Sequence, residues 1–219
     1  MQAAAQELTV YGRATSSNVQ ALLWGLEELE LAYTRLDYGE VYGGLDTPAF
    51  RAMNPHGKIP VLTVGDTALF ETGAILRYLA TLHGDDSFWP ADPLARARTD
   101  MWAEWAKHDV AKAFTGPVFW RNTRTAPERR DPALIRRNLD RFEAELAKAE
   151  PRLAQSAYLC GDALTLADIQ FGHVLYRYFD TELDRRDLPA LAAYHARLAE
   201  RPAYRKTVMV SYDELRNTF

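Results

Sequence analysis

Cysteine is almost missing: the 219 residues contain one, Cys160. That excludes an intrachain disulfide framework and a Cys-x-x-Cys redox pair, and it favours a reducing compartment. Long apolar runs are missing too, and none approaches the ~20 residues of a membrane span. The opening stretch, Met1 to Glu7, has no basic segment ahead of an apolar core, so no secretory signal is expected and the protein is read as cytoplasmic. There is no excess of positive charge either. Lys and Arg number 26 against 30 Asp and Glu, a net charge of -4. Without a basic face, nucleic acid is excluded as a partner. Internal repeats and low-complexity segments are absent.

What is present is a chain that is 47% hydrophobic, long enough for a sizeable core and for one or two domains. The first 83 residues alternate in character. Leu8 to Tyr11 is a short β-rich run. Val19 to Leu29 carries apolar residues at 19, 22, 23, 26 and 29, the helical period. Tyr33 to Tyr38 alternates as a strand does, and Pro48 to Met53 is a short helix. Two strand-like runs, Ile59 to Val64 and Ala68 to Phe70, flank Gly65-Asp66, a hairpin signal, and Ala74 to Leu82 reads as a helix. The order β-α-β-α-β-β-α predicts an α/β domain on a mixed four-stranded sheet over residues 1–83.

Residues 84–92 form a linker rich in Gly, Asp and Pro. Residues 93–219 show no further strand pattern and predict an all-helical bundle. Asp92-Pro93 and Asp131-Pro132 each pair a capping Asp with Pro at the first helical position. Helices are expected over about 94–120 and 132–153, from Thr165, and from Leu188-Pro189-Ala190.

Three stretches of the first domain carry chemistry. In Asn54-Pro55-His56-Gly57-Lys58-Ile59-Pro60-Val61-Leu62, a proline precedes a strand, where it cannot donate to a sheet ladder. A cis bond there would turn backbone groups outward, free to pair with an extended peptide; an ordinary loop-to-strand turn is the alternative. In Phe70-Glu71-Thr72-Gly73, a strand gives way to a helix start, which attracts a carboxylate. Thr72 could donate to that carboxylate and Glu71 accept from an ammonium, together holding an α-amino acid; simple capping by Thr72 is the alternative. In Thr15-Ser16-Ser17-Asn18, one hydroxyl could donate to a thiolate and lower a thiol pKa from its usual value of roughly 8.5. All four are also good helix caps. Neither a general base nor a metal ion is called for.

In this order the three stretches resemble the cytosolic glutathione S-transferase family over nearly the whole chain. Residues 8–82 are similar to its thioredoxin-like domain, and the remainder to its helical second domain. Gly161-Asp162-Ala163-Leu164-Thr165-Leu166-Ala167-Asp168-Ile169 is similar to the family's capping motif. There Thr165 and Asp168 form a capping box and Leu164 and Ile169 a hydrophobic staple; losing Asp168 is expected to cost about 1 kcal/mol or more.

The resemblance implies glutathione as co-substrate, a hydrophobic electrophile as second substrate, a role in detoxification, and a homodimer. It implies that Ile59, before a cis-Pro60, pairs its backbone with the cysteinyl part of glutathione. Lys58 faces a carboxylate of the tripeptide, and Glu71 and Thr72 hold the γ-glutamyl end. Counting back from Leu31-Ala32-Tyr33, the family's serine falls on Ser16, with Asn18 assisting; subgroups using a Thr-x-Asn pair would match Ser16-Ser17-Asn18. Thr15, Ser17 and Tyr11 stay open as alternatives. The chain departs from the family in having Thr72 and Gly73 where serine and asparagine are frequent. Members that work through cysteine place it near position 16, whereas Cys160 lies in the second domain. Phe114, Trp120, Arg121 and Arg124 are candidate contacts for the electrophile, while Trp102, Trp105 and His108 are more simply packing or surface residues. The same site could serve isomerisation, lyase or peroxidase chemistry, and the fold also serves as a non-catalytic binding module.

Overall fold

In the computed structural model, which describes residues 7–219, strand β1 (Leu8–Tyr11) is the hub of the first half. Residues 1–6, part of the stretch read for a secretory signal, lie outside the described residues. Leu8 and Val10 are buried and Thr9 and Tyr11 half-buried, the period-two alternation of a strand. β1 pairs in parallel with β2 (Thr34–Leu36) and antiparallel with β3 (Val61–Val64). β3 in turn pairs antiparallel with β4 (Thr67–Phe70), giving the mixed order β2-β1-β3-β4. Helices α1 (Ser17–Glu28), α2 (Pro48–Met53) and α3 (Thr72–His83) complete the domain.

The α1–α3 contact depends on Gly25. A Cβ there would lie 2.4 Å from Leu76 Cδ2, so a side chain would push the two helices apart. Leu22, Trp24 and Leu26 of α1 join Ile75, Leu76 and Leu79 of α3 in one buried cluster with Val10 and Leu62 of the sheet.

The helical half begins at α4 (Pro93–Trp105), where Asp92 accepts from the amide of Ala95 at 2.8 Å and Pro93 takes the first turn. The long helix read over 94–120 is not uniform. It widens into a π-helical stretch at Ala106–Ala111, tightens at α5 (Lys112–Phe114), and widens again over Thr115–Arg124. Pro117 lies in the second wide stretch, where it removes a donor from the α-helical ladder. The helix read over 132–153 is likewise two, α6 (Pro132–Leu146) and α7 (Glu150–Leu153), with Pro151 in the first turn of the second. The run from Thr165 splits into α8 (Leu166–Gly172) and α9 (Leu175–Asp180), followed by α10 (Pro189–Glu200) and α11 (Pro202–Thr207).

The capping box is present, and Leu164 and Ile169 are both buried. Asp168 also does more than cap. Besides the amide and hydroxyl of Thr165, both at 2.8 Å, it accepts from the Leu159 amide and the Tyr194 hydroxyl, each at 2.9 Å.

The two halves share their core, with α1 packed on α8 and α11. Arg201 donates to Glu28 through Nε at 2.7 Å and Nη2 at 2.5 Å. Among the described residues, no helix is long and apolar enough to cross a membrane.

Candidate active site

Strand register gathers the three sequence motifs. Tyr11, the last residue of β1, pairs with Val61, the first of β3, and Val61 pairs with Phe70, the last of β4. Chain leaving β1, entering β3 and leaving β4 therefore meets at one end of the sheet. Ser16 follows the first of these ends, Pro60 precedes the second, and Glu71 follows the third.

The Ile59-Pro60 bond is cis. Gly12 lets the β1–α1 loop pass close to it: its φ is 153°, and a Cβ there would sit 2.5 Å from Val19 Cγ2 and 3.2 Å from Ile59 Cβ. The loop before Pro60 is braced by Asn54, which is buried. Its Nδ2 donates to the carbonyl of Lys58 at 2.7 Å, and its Oδ1 accepts from the His56 amide at 3.0 Å. The Lys58 side chain is exposed.

Glu71 is the N-cap of α3 and holds φ at 68°, a left-handed conformation that a side chain other than glycine disfavours. Such outliers recur where a site fixes the backbone. Its side chain makes no capping hydrogen bond. Thr72 is the first helical residue and is 2% exposed, so the cap position read for it belongs to Glu71.

The hydroxyls after β1 differ in surroundings. Thr15 is buried; its hydroxyl donates to Glu214 Oε1 on the C-terminal tail, and its carbonyl accepts from Arg177 Nη2 at 2.6 Å. Ser16 takes the N-cap position of α1, and its side chain makes no capping bond. Ser17 opens the helix. Asn18 Oδ1 accepts from Lys107 Nζ at 2.6 Å, across the domain junction.

The second domain adds charge that the sequence reading missed. Arg177 is buried, with its guanidinium over Phe119 at 4.7 Å, and burial pushes its pKa down to about 10. Glu40 bridges Arg13 at 3.4 Å and Arg124 at 3.1 Å. The contacts of Lys107, Arg177 and Glu214 with residues 15 and 18 span 89 to 199 positions, so no local spacing could reveal them.

Several aromatics sort differently from the sequence reading. Phe114 is 1% exposed among Phe119, Phe142 and Tyr178, so it fills the core and does not line an open pocket. Trp120 and Arg121 do line a cavity with Pro117, Leu134 and Phe219. Arg124 is buried, its guanidinium 4.0 Å from the Phe219 ring. Trp102 and Trp105 pack edge to face at 5.1 Å, and His108 is on the surface paired with Glu104 at 3.0 Å. The Cys160 thiol is half-buried, and burial raises its pKa, the opposite of what a thiolate nucleophile requires.

This arrangement matches known proteins. Residues 6–81 match the family model "Glutathione S-transferase, N-terminal domain", and residues 110–202 match "Glutathione S-transferase, C-terminal domain". The chain is 36% identical over 205 residues to glutathione S-transferase GstB of Escherichia coli K12, covering 93% of this chain and 98% of that one. It is 32% identical over 207 residues to glutathione S-transferase 4 of Zea mays, covering 90% of each. The theta class glutathione S-transferase of Xanthomonas axonopodis pv. citri, solved with glutathione bound, superposes with a TM-score of 0.89 at 40% identity, covering 94% of this chain and 99% of that one. Two matching family models, whole-length relatives and a shared fold make this chain a member of the glutathione S-transferase family.

Proposed function

We propose that the chain is a glutathione transferase whose Ser16 hydroxyl donates to the glutathione sulfur and favours the thiolate, with Asn18 assisting. The observation that carries this is the uncommitted Ser16 side chain at the N-cap of a twelve-residue helix, at the sheet end shared with Pro60 and Glu71. A donor there adds to the partial positive charge of the helix start, and both lower the pKa of a bound thiol. The thiolate then attacks an electrophilic carbon held alongside, with proximity supplying the remainder of the rate.

In this reading the Ile59 backbone pairs with the cysteinyl unit, Lys58 faces a tripeptide carboxylate, and Glu71 and Thr72 hold the γ-glutamyl end. The work divides between residues 1–83, which bind glutathione, and residues 93–219, which bind a hydrophobic electrophile, with 84–92 as the connection. A role in detoxification fits that chemistry.

A homodimer is supported by exposed Tyr78 and Leu82 on α3 and Leu94 and Met101 on α4, apolar side chains on two helices joined by Arg77 and Asp100 at 2.6 Å.

Calorimetric titration with glutathione tests the site. Binding in the micromolar to low-millimolar range is expected, lost in Glu71→Ala. Ser16→Ala should keep binding and lose turnover by roughly 100-fold, the order seen when one donor to a developing anion is removed. Equal turnover in that variant would sink the Ser16 assignment. No binding at several millimolar would leave a protein that uses this fold as a binding module.

A further inference from the structure

Lys107 is an ammonium group held in an unusual setting. It sits in the π-helical stretch Ala106–Ala111, a widened turn of the kind that often marks a functional site. From there it reaches the first domain and donates to Asn18 Oδ1 at 2.6 Å. Among the described residues, no carboxylate lies within ion-pair distance of it. Its pKa is lowered by burial, with Glu71 and Glu104 acting in the opposite direction.

The titratable groups around it are those two carboxylates and His173. Glu71 is the N-cap of α3, and Glu104 is already engaged by Arg77 and His108. His173 is fully buried and neutral, its pKa held down to about 3 by burial and by Lys107 itself. A desolvated ammonium beside a neutral amide is a poor contribution to stability; a well-packed apolar side chain would do as well or better. The charge therefore calls for a functional account.

An ammonium has three donors and no acceptor. Its contact with Oδ1 fixes the Asn18 amide in one orientation and leaves the Nδ2 hydrogens as the free donors. Asn18 lies two residues after Ser16, in the first turn of α1.

We propose that Lys107 is a positioning residue of the thiolate site: it orients Asn18 so that its Nδ2 donates to the glutathione sulfur, and it polarises that amide. This rests on the Ser16–Asn18 reading of the site. A positive charge on the far side of the amide strengthens its N–H donors, because charge-assisted hydrogen bonds polarise their neighbours. Serine and lysine thus reach the sulfur from opposite domains, one directly and one through Asn18. The domain junction becomes part of the catalytic apparatus.

The test uses the full-length protein and its Lys107→Met, Lys107→Arg, Asn18→Ala and Asn18→Ala/Lys107→Met variants. The readouts are the ultraviolet absorbance of bound glutathione thiolate against pH, and the pH profile of kcat/KM with an aryl halide. Lys107→Met is expected to raise the apparent pKa of the bound thiol by about one unit, a roughly tenfold loss of thiolate on the acid side. Glutathione affinity should hold within about threefold and the melting temperature should not fall, since a buried charge has been removed. Lys107→Arg should restore most of the shift, and the double variant should add little to Asn18→Ala alone. An unmoved thiol pKa in Lys107→Met overturns the proposal, as does a double variant whose shift is the full sum of the two singles. A parent protein that fails to bind glutathione overturns the site reading, and this proposal with it.

Discussion

Thr15, Ser16 and Ser17 are adjacent hydroxyls, yet tertiary contacts give them different work. Thr15 is tied between Glu214 and Arg177 and is buried, whereas Ser16 makes no capping bond at the start of α1. Thr15→Val would leave the Glu214 carboxylate without its donor while keeping the side-chain shape. A loss of about 1–2 kcal/mol is expected in urea denaturation, with the pH profile of turnover unchanged. A shifted profile would move the sulfur donor from residue 16 to residue 15. Sequence could nominate this cluster because four capping residues follow a strand, but it could not rank its members. The contacts that set Thr15 apart come from residues 177 and 214.

Single elements show what local patterns do and do not carry. The Asp-Pro helix starts at 92–93 and 131–132 are local in origin: a carboxylate accepts from the amide three residues on, and both are where the sequence places them. The capping box at Thr165–Asp168 is local too, but its energetics are not. The sequence reading gives about 1 kcal/mol or more for Asp168→Ala from lost capping. In the structure that carboxylate also accepts from the Leu159 amide and the buried Tyr194 hydroxyl. Removing it orphans donors in a fully buried position, so a loss of about 3 kcal/mol or more is expected by urea or thermal unfolding. A loss near 1 kcal/mol would mean that water replaces the missing acceptor. The π-helical stretches were not legible, because a widened turn leaves the apolar spacing of a helix almost unchanged. The split at Pro151 has a clearer physical cause. Proline cannot donate to the preceding turn; at Gly172 the absence of a side chain admits close packing, since a Cβ would meet Leu198 at 2.6 Å and Trp24 at 2.9 Å.

Across the whole molecule, two histidines couple stability to pH, His173 buried and His195 half-buried. His173 is held down to about 3 and His195, stacked on Phe179 at 4.4 Å, to about 4, both through burial. Their unfolded values lie near 6.5. Because the folded pKa values are depressed, the stability is fully present above about pH 6.5. It is lost as pH falls, when the unfolded chain takes up protons that the folded chain refuses. Denaturation midpoints measured from pH 7 to pH 4 should fall, with each histidine contributing a slope approaching ~1.4 kcal/mol per pH unit. His195→Gln should flatten that slope by about half, whereas an unchanged slope would show that His195 takes up its proton in the folded protein. At the same scale, Met101→Lys on the outer face of α4 should shift the proposed dimer to monomer in analytical ultracentrifugation. Unchanged sedimentation would place any subunit contact elsewhere.

The sequence by itself determined the element order of the first domain, the helical character of the second, the capping residues Asp92, Asp131 and Thr165, and the three motifs that point to glutathione. These depend on periodicity, turn chemistry and caps, all interactions within a few residues. Only the tertiary structure decided that the Thr15 hydroxyl is engaged by Glu214, that Phe114 is core while Trp120 lines a cavity, and that Lys107 reaches Asn18. Those outcomes depend on burial and on contacts between residues 89 or more positions apart. Chain closure alone brings such groups together, and no local pattern encodes their distance.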